Sequence, residues 1–454
     1  MVECDEPALS HACCRANALR VAFMLAQKTP CVVALLLVPL LRAQQGPVPS
    51  LRDLDEPDVP YRTPRSGEGV RASLFETTIE IAPRDRRSVA AWQLGVAAAV
   101  DADDNEAVPF GSLYVWEHPD DGHLLRASLS GVYDQVTWAS TDGNCHELML
   151  TFENFTLPWA SGELVDGLVD DGEKLHWGYV RAGIGPGWRR RTAPFGQENM
   201  LASDVLFEPG LLYFGRDDRT DPGYQVPDST PELRLRWVLR YDGIERNLLE
   251  LPHAGVAIGA DAVFGYRVRS EDWGRAGADF HRGDHDYTQA TAYAFFITGV
   301  PGLSTASLER HRLYASLHGG LGDGLDRFSA QRVGGGPDLR GAEYETTARP
   351  WLPGAAYSEY FPDHYMIGSL GYRRELGFFA HLDVGGTVAW LDRDRMRSAG
   401  REREDDTLVA FSVRLSSGFI GRTLLQLGYG HNFDVVRDGE RGGDEFTLMV
   451  TGRF

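Results

Sequence analysis

The sequence contains almost no lysine and, beyond its first 31 residues, almost no cysteine. Lys28 and Lys174 are the only lysines among 454 residues, so nearly every positive charge is an arginine, and the formal net charge is −20. Phosphate binding needs a basic surface, so this balance argues against nucleic acid as a partner. Four of the five cysteines lie within residues 1–31, which leaves Cys145 alone afterwards. One thiol builds neither a disulfide framework nor a cysteine metal site.

Long apolar runs are also scarce. The run from Cys31 to Leu41 follows Lys28 and leads into Leu41-Arg42-Ala43, a plausible cleavage site. It is too short to span a bilayer as a helix but has the length of a signal-peptide core. We predict a signal peptide over residues 1–43, with Met24 as an alternative start because the residues before it are acidic and cysteine-bearing. A buried hydrophobic helix is the alternative interpretation.

The remaining chain is organised as short alternating runs. Residues 44–72 are rich in proline, aspartate and arginine without periodicity, which predicts an extended periplasmic tail. From Ser73 onward, alternating runs are separated by glycine, aspartate and proline clusters, and no convincing helix period appears. The 51 glycines and 11% aromatic residues suit strands, while 43% hydrophobic residues are too few for a helical membrane protein. An all-β domain over residues 73–454 is therefore predicted.

The last runs distinguish two faces. In the final run, the residues of one face are apolar and those of the other face are mostly polar: Phe446, Leu448, Val450, Gly452 and Phe454 against Glu445, Thr447, Met449, Thr451 and Arg453. The runs at 409–416, with Arg414 on the polar face, and at 425–430 repeat this arrangement. One face suited to lipid and one suited to water predict a transmembrane β-barrel with a wet lumen.

The run from Leu233 to Tyr241 gives the strongest orientation signal. Arg234, Arg236 and Arg240 share one face, and leucine, tryptophan and tyrosine occupy the other. An arginine on the lipid face costs about 2–4 kcal/mol at mid-membrane. We therefore predict that these three arginines face the lumen.

The number of runs predicts a closed barrel. Seven candidate strands lie before residue 233 and nine after it, which gives sixteen, and closed single-chain bacterial barrels have an even number of strands. The candidates before residue 233 are 73–82, 91–100, 111–117, 123–132, 146–153, 174–185 and 201–215. The later ones include 254–268, 286–299, 311–322 and 365–374.

Four landmarks in the second half occur in a familiar order. They are the stretches 241–255, with its polar turn and Pro-x-x-Gly, 317–325, with its glycine-rich strand end, 328–341, with Gly334-Gly335 and Leu339-Arg340-Gly341, and 379–385. Together, from about residue 233 to the end, they resemble the BamA/TamA superfamily of outer-membrane insertases and translocases, the bacterial surface antigen family. The resemblance implies a barrel in a Gram-negative outer membrane, whose lipid is one partner.

The resemblance also implies a site. In that family a loop folds into the lumen and its arginine is anchored by a strand aspartate, which implies here that Arg340, beside Gly341 at the loop tip, pairs with Asp383. A guanidinium can hold a carboxylate through two hydrogen bonds and so fix a long loop. Ala342 departs from the family, which usually has an aromatic residue after the Arg-Gly pair. The seam between the first and last strands would open sideways to accept a client strand.

The partner remains open at this stage. Members that assemble or export proteins normally carry POTRA domains before the barrel, and residues 44–72 cannot house one. We therefore expect a stand-alone barrel, or a periplasmic subunit on another chain, with outer-membrane proteins as clients. The alternative is a passive pore or structural surface barrel, with Arg234, Arg236 and Arg240 setting an anion-leaning lumen.

Catalytic and metal signals are weak. The sequence has no Gly-x-Ser-x-Gly, although lumenal His381, Asp383 and Ser412 could be drawn together. His281 and His285 beside Asp284 and Asp286 match no zinc signature, and a solvated acidic loop explains them. A single Gly-Gly-Leu-Gly-Asp at 319–323 is a turn signal, since one copy cannot build a calcium-binding roll. We predict no enzyme activity, no cofactor and no metal.

Overall fold

The computed structural model describes residues 51–56, 60–74, 76–83, 88–100, 107–120, 122–142, 145–157, 160–162, 164–165, 168–191, 200–275, 283–300, 302–303, 309–336, 345–397, 400–420, 423–437 and 440–453. The predicted signal peptide, residues 1–43, lies outside these ranges. So do three of the predicted site residues, namely Arg340, Gly341 and Phe454.

Within these ranges, sixteen long strands close into one antiparallel barrel, in which each strand pairs with the next along the chain. The predicted fold class and strand number are confirmed. The barrel strands are β4 Ser88–Val100, β5 Ala107–Asp120, β6 His123–Leu129, β7 Tyr133–Thr141, β8 His146–Thr156, β11 Leu175–Arg191, β12 Met200–Arg216, β13 Thr230–Asp242, β15 Pro252–Arg267, β16 Asp286–Gly299, β17 His311–Asp323, β18 His364–Gly377, β19 Ala380–Arg397, β20 Gly400–Ile420, β21 Thr423–Arg437 and β22 Glu440–Arg453.

Short elements occur in the described parts of the connections. They include the short strands β9 Leu164–Val165, β10 Leu168–Val169 and β14 Glu245–Arg246, the 3₁₀ turn Asp171–Glu173 and the one-turn helix α1 Glu345–Ala348. In the described part of the chain, no helix is long and apolar enough to cross a bilayer.

The barrel closes between its first and last strands. Ten residues of β22, from Asp444 to Arg453, pair with β4 from Val100 to Ala91. We call this pair of strands the seam. The end of the barrel where β4 begins and β22 finishes is called the terminal end, and the opposite end the loop end. The longest connection, residues 324–363 between β17 and β18, leaves from the loop end and is called the long loop.

Side chains alternate between the outside and the lumen. On β13, Leu235 is 52% exposed on the outside, whereas neighbouring Arg234 is 8% exposed on the lumenal face. Phe446 and Leu448 of β22 are likewise exposed, and Val450 shares their parity. This outer band of leucine, valine and aromatic side chains continues around the barrel. The polar faces turn inward, as strand periodicity requires.

A separate small sheet precedes the barrel. It consists of β1 Leu51–Asp53, β2 Gly69–Leu74 and β3 Thr77–Ile81, with β1 and β2 parallel and β2 and β3 antiparallel. Val70 and Ala72 pack against Phe378, in the connection between β18 and β19 at the terminal end. Residues 73–82 thus belong to this sheet and not to the barrel wall, which begins at Ser88. Glu76, with φ of 67°, makes the turn that breaks the predicted strand.

Candidate functional site in the barrel lumen

The long loop turns back into the barrel and packs against its inner wall. Val333, Leu352 and Ala355 are completely buried and form one apolar cluster with four wall residues, Ile367, Leu391, Leu408 and Val435. Val333 and Tyr360 also exchange backbone hydrogen bonds of 3.0 and 2.9 Å, which close the described part of the loop into a hairpin. The loop is therefore part of the lumenal core.

The loop requires glycine at Gly335 and Gly336 because its backbone lies very close to neighbouring atoms. A Cβ at Gly335 would lie 2.0 Å from the Ala355 carbonyl oxygen and 2.6 Å from Glu445 Oε1. Gly336 adopts φ of 94°, in the left-handed region that favours glycine, and its N–H donates to Glu445 Oε1. The run brings the loop backbone directly onto a buried carboxylate of β22.

A second anchor connects the loop to the strands around the seam. Arg437, at the end of β21, binds Glu359 of the loop through two hydrogen bonds, of 3.2 and 2.7 Å. Its guanidinium also donates to the Gly354 carbonyl at 3.1 Å and to the Val100 carbonyl of β4 at 3.2 Å. One arginine thus contacts the loop and the first barrel strand, and Glu445 of the last strand holds the loop from the other side.

Asp383 lies on the lumenal face of β19, buried, between two arginines of the neighbouring strands. Arg373 is opposite on β18 and donates from Nε to Asp383 Oδ1 at 2.6 Å, while Arg414 is opposite on β20. Arg373 also donates to the carbonyl of Pro252, the first residue of β15. Arg414 stacks over the Trp351 ring of the long loop, 4.7 Å from its centroid.

The predicted partner of Asp383 lies outside the described residues. Arg340 belongs to the stretch 337–344, so its pairing with Asp383 stays a prediction. Asp383 Oδ2 is buried and accepts no hydrogen bond from the described residues. One oxygen of this carboxylate is therefore held by Arg373, and the other can accept a hydrogen bond that no described residue donates.

The arginines of β13 lie on the lumenal face, each beside a carboxylate. Arg234 Nε lies 3.4 Å from Glu208, and Arg236 donates to Asp261 Oδ1 at 3.0 Å. Arg240 binds the other oxygen of Asp261. Two carboxylates therefore offset most of the charge of these three arginines within the wall.

The terminal end of the barrel is covered by residues 61–68. Thr63 is fully buried; its N–H donates to Glu309 at 3.1 Å and its hydroxyl donates to Glu375 at 2.6 Å. Ser66 N–H donates to the Arg246 carbonyl at 3.0 Å, and the Pro64 carbonyl accepts from Leu248 N–H at 2.9 Å. The segment thus adds a short backbone ladder to the β13–β15 connection.

Glu309 is a carboxylate that contacts both polar and basic groups beneath this cover. Burial opposes its ionisation, but the hydrogen bond with His253 and the charge of Arg65 outweigh burial and lower the pKa of Glu309 to about 2. His253 Nε2 lies 3.4 Å and Arg65 Nη2 3.8 Å from Glu309 Oε2. The carboxylate is therefore ionised at neutral pH.

The described residues that were weighed for catalysis do not contact one another. His381 Nε2 lies 3.1 Å from the Asn247 amide and forms no hydrogen bond with Asp383 or Ser412. Among the residues that the structure describes, no cluster of three histidine, cysteine, aspartate or glutamate side chains could hold a metal ion. His281 lies outside the described ranges.

Sequence reasoning missed the residues that anchor the loop. Glu445 was placed on the polar face of the last strand, but the sequence gives no sign that Gly336 is its partner. Arg437 and Glu359 are separated by 78 residues, and a polar strand end beside a loop offers no pairing signal. Only their joint burial in the fold identifies them.

No protein-family model and no curated protein matches the sequence. Among solved structures, CdiB from Acinetobacter baumannii aligns with a TM-score of 0.47 and 10% identity, over 84% of this chain and 63% of that chain. BamA from Haemophilus ducreyi lacking POTRA domains 1-3 aligns with a TM-score of 0.46 and 11% identity, over 85% of this chain and 75% of that chain. The chain spans less than two thirds of that CdiB, and neither likeness decides its family.

Proposed function

We propose that this protein is an outer-membrane barrel of the BamA/TamA type that inserts or translocates proteins by opening its seam. The observation that carries the proposal is the anchoring of the long loop at the seam, through Glu445 of β22 and through Arg437, which also contacts Val100 of β4. A loop bound to both closing strands can change its conformation when they separate, or can restrain their separation. An outer-membrane lipid bilayer fits the apolar outer band, and closure pairs the backbone groups that lipid cannot satisfy.

The composition of β4 supports a seam that can separate. Five of its ten seam positions are alanine or glycine, namely Ala91, Gly95, Ala97, Ala98 and Ala99. Cross-strand side-chain pairs supply much of the stability of a sheet, and alanine and glycine contribute least to them. The backbone ladder of this seam is therefore supported by few side-chain contacts on the β4 side.

Opening of the seam would create a binding edge. Separation of β4 from β22 exposes a row of unpaired N–H and C=O groups, to which an extended client segment can add as a strand. Loss of the Arg437 contact to Val100 would accompany separation, so the long loop and the seam would move as a coupled unit. The terminal end would face the periplasm, where a separate subunit could deliver clients.

The structure gives little reason to favour a passive pore. That alternative depended on Arg234, Arg236 and Arg240 giving the lumen an anion preference, but Glu208 and Asp261 offset most of this charge. The long loop also occupies part of the lumen with a packed apolar cluster. A steady, wide conductance is therefore not expected.

A disulfide staple tests the proposal. In a background with all five native cysteines changed to serine, Ala97→Cys with Thr447→Cys joins directly opposite residues across the seam, and Ser316→Cys with Ser369→Cys joins opposite residues of β17 and β18 as the control. The full chain, folded into liposomes, is given a urea-unfolded outer-membrane barrel protein, and protease protection measures insertion. We expect the oxidised seam staple to abolish stimulated insertion, reduction to restore it, and the control staple to leave it unchanged.

Two results would contradict the proposal. One is equal insertion by the oxidised seam staple and the unstapled protein. The other is steady ion conductance with no stimulation of insertion by either, which would establish the passive pore.

A further inference from the structure

A cavity of about 390 Å³ lies in the loop-end half of the lumen, between the long loop and β8, β11, β13, β15 and β16. Its volume is within the range of small-molecule sites, roughly 300–1,000 Å³. Aromatic side chains from the wall and the loop line much of it, among them Phe155, Trp177, Tyr179 and Phe328. The lining also contains charged side chains of both signs, among them Arg332, Glu153 and Asp261.

Arg332 of the long loop faces this cavity inside an aromatic cage. Its guanidinium carbon lies 4.8 Å from the Trp177 ring centroid, 4.9 Å from that of Phe155 and 5.4 Å from that of Phe361. Burial, followed by the influence of nearby Arg327, lowers the pKa of Arg332 to about 10, so it remains charged at neutral pH.

Arg332 differs from three neighbouring arginines in having no carboxylate partner among the described residues. Arg181 binds Glu232 at 2.7 Å, Arg236 binds Asp261 at 3.0 Å, and Arg234 lies 3.4 Å from Glu208. Arg349, which also lines the cavity, donates to the Gly335 carbonyl. No described residue accepts a hydrogen bond from Arg332, and the side chain remains partly exposed to the cavity.

The chemistry of a guanidinium among aromatic rings defines the class of ligand. The rings favour its positive charge, and its planar fork of N–H groups can bind two carboxylate oxygens at once. A partly exposed guanidinium with no acceptor among the described residues can give such charge-assisted hydrogen bonds to an anion. The surrounding rings offer contact area for a flat apolar body.

We propose that this cavity binds a small organic carboxylate, with its anionic group on the Arg332 N–H fork and a flat apolar body against Trp177 and Phe155. The site differs from the loop anchors at Glu445 and Arg437 and does not depend on the seam opening. A free solute is the occupant, because the cavity holds a molecule of that size.

Benzoate is the probe, and titration calorimetry of the folded full chain in detergent is the measurement. We expect wild-type protein to bind benzoate more tightly than acetate, which lacks the flat body, and not to bind benzamide, which lacks the charge. Arg332→Gln should weaken benzoate binding by about tenfold or more, the equivalent of one charged hydrogen bond. Arg332→Lys keeps the charge and loses the fork of N–H groups, so its affinity for benzoate should lie between those of wild type and Arg332→Gln.

Arg327→Gln is the matched control. Arg327 belongs to the same loop, but it donates to the Glu173 carbonyl at 3.2 Å and does not line the cavity, so benzoate binding should weaken much less than in Arg332→Gln. The electrophoretic shift of the unheated barrel checks that each variant is folded. If Arg332→Gln does not fold, the comparison of benzoate with benzamide binding to wild type still tests whether the cavity requires a negative charge.

The proposal is overturned by equal binding of benzoate and benzamide, or by undiminished benzoate binding in folded Arg332→Gln. Absence of benzoate binding to wild type at millimolar concentrations would also overturn it. In that case Arg332 serves to hold the loop through its aromatic contacts.

Discussion

Arg437 and Glu359 form a buried ion pair, with Nη2 of the arginine 2.7 Å from Oε2 of the glutamate and the two side chains only 5% and 6% exposed. The same guanidinium donates to the carbonyl oxygen of Val100, on the first barrel strand. The loop anchor and the seam therefore share one residue. Any movement that separates β4 from its neighbours changes the environment of this pair.

Removal of one partner from this pair should be strongly destabilising. Glu359→Gln leaves Arg437 buried without its counter-charge, and we expect a loss of about 3–5 kcal/mol in the free energy of unfolding. Urea titration of the folded barrel in lipid vesicles measures it. Glu80→Gln is the control, because Glu80 pairs with Arg71 at 2.9 Å while both side chains are about half exposed, and such pairs contribute about 1 kcal/mol or less. An equal effect of the two substitutions would contradict the buried-pair interpretation.

The close approach at Gly335 predicts a second effect. Gly335→Ala would place Cβ 2.0 Å from a backbone oxygen, so the loop must move away from Glu445 and Ala355. We expect faster trypsin cleavage within the long loop of the folded protein and a loss of stability of about 1–3 kcal/mol. Gly368→Ala on β18 is the control, because no atom lies within 4 Å of its added Cβ. Unchanged cleavage in Gly335→Ala would show that the loop is not held there.

The second half of the barrel was readable from sequence because its strands alternate strongly. The run predicted at 286–299 coincides with β16, and that predicted at 311–322 ends one residue short of β17. Leucine or tryptophan outside and arginine inside gives each residue of β13 a clear preference for one face. Lipid on one side and water on the other enforce that pattern.

The first half was less readable because its faces contrast less. β7, Tyr133–Thr141, was not predicted: Asp134 and Ser140 share the parity of its outward Trp138, so the apolar signal is weak. The strand predicted at 73–82 replaced it in the count, so sixteen was reached with one strand misplaced. Alternation alone does not distinguish a small sheet at the barrel end from a barrel strand.

The site was only partly readable because a bulge changes the register. Gly377 opposes Ala380, but an irregularity between Glu375 and Gly377 shifts the pairing so that Arg373 opposes Asp383. Without it, Arg373 would oppose Val384. The lumenal position of Asp383 could be predicted from alternation. Its pairing with Arg373 depends on this bulge, and no sequence pattern predicts the bulge.

Asp383 supports a double-mutant test of the predicted loop contact. Because Asp383 Oδ2 can accept a hydrogen bond that no described residue donates, we expect Arg340→Gln and Asp383→Asn to be coupled by about 1 kcal/mol or more in the free energy of unfolding. Arg373→Gln should couple with Asp383→Asn as well, since that pair is 2.6 Å apart. Additive effects of Arg340→Gln and Asp383→Asn would show that Arg340 does not contact Asp383. The coupling of Arg373→Gln with Asp383→Asn shows that the measurement detects a true contact.

The cover over the terminal end should depend on pH through Glu309. The pKa of this carboxyl is lowered from 4.5 to about 2, so its ionised form favours the folded contact. A lowered pKa contributes stability that is complete above 4.5 and is lost as the pH falls toward 2. Thr63 N–H, which donates to Glu309, should then lose its acceptor.

Hydrogen exchange of the peptide covering residues 61–68, corrected for intrinsic rates, measures this loss. We expect protection to fall by about tenfold or more between pH 4.5 and pH 2, since each unit of pKa shift represents a tenfold change in an equilibrium constant. The β16 peptide, residues 286–299, should stay protected and so exclude general unfolding. Glu309→Gln should show reduced protection already at pH 7 and a smaller change on acidification than wild type, because the carboxylate that accepts from Thr63 N–H is gone while Glu375, which accepts from the Thr63 hydroxyl, still protonates. Constant protection of 61–68 from pH 5 to pH 2 in wild type would mean that the backbone ladder to Arg246 and Leu248, and not Glu309, holds the cover in place.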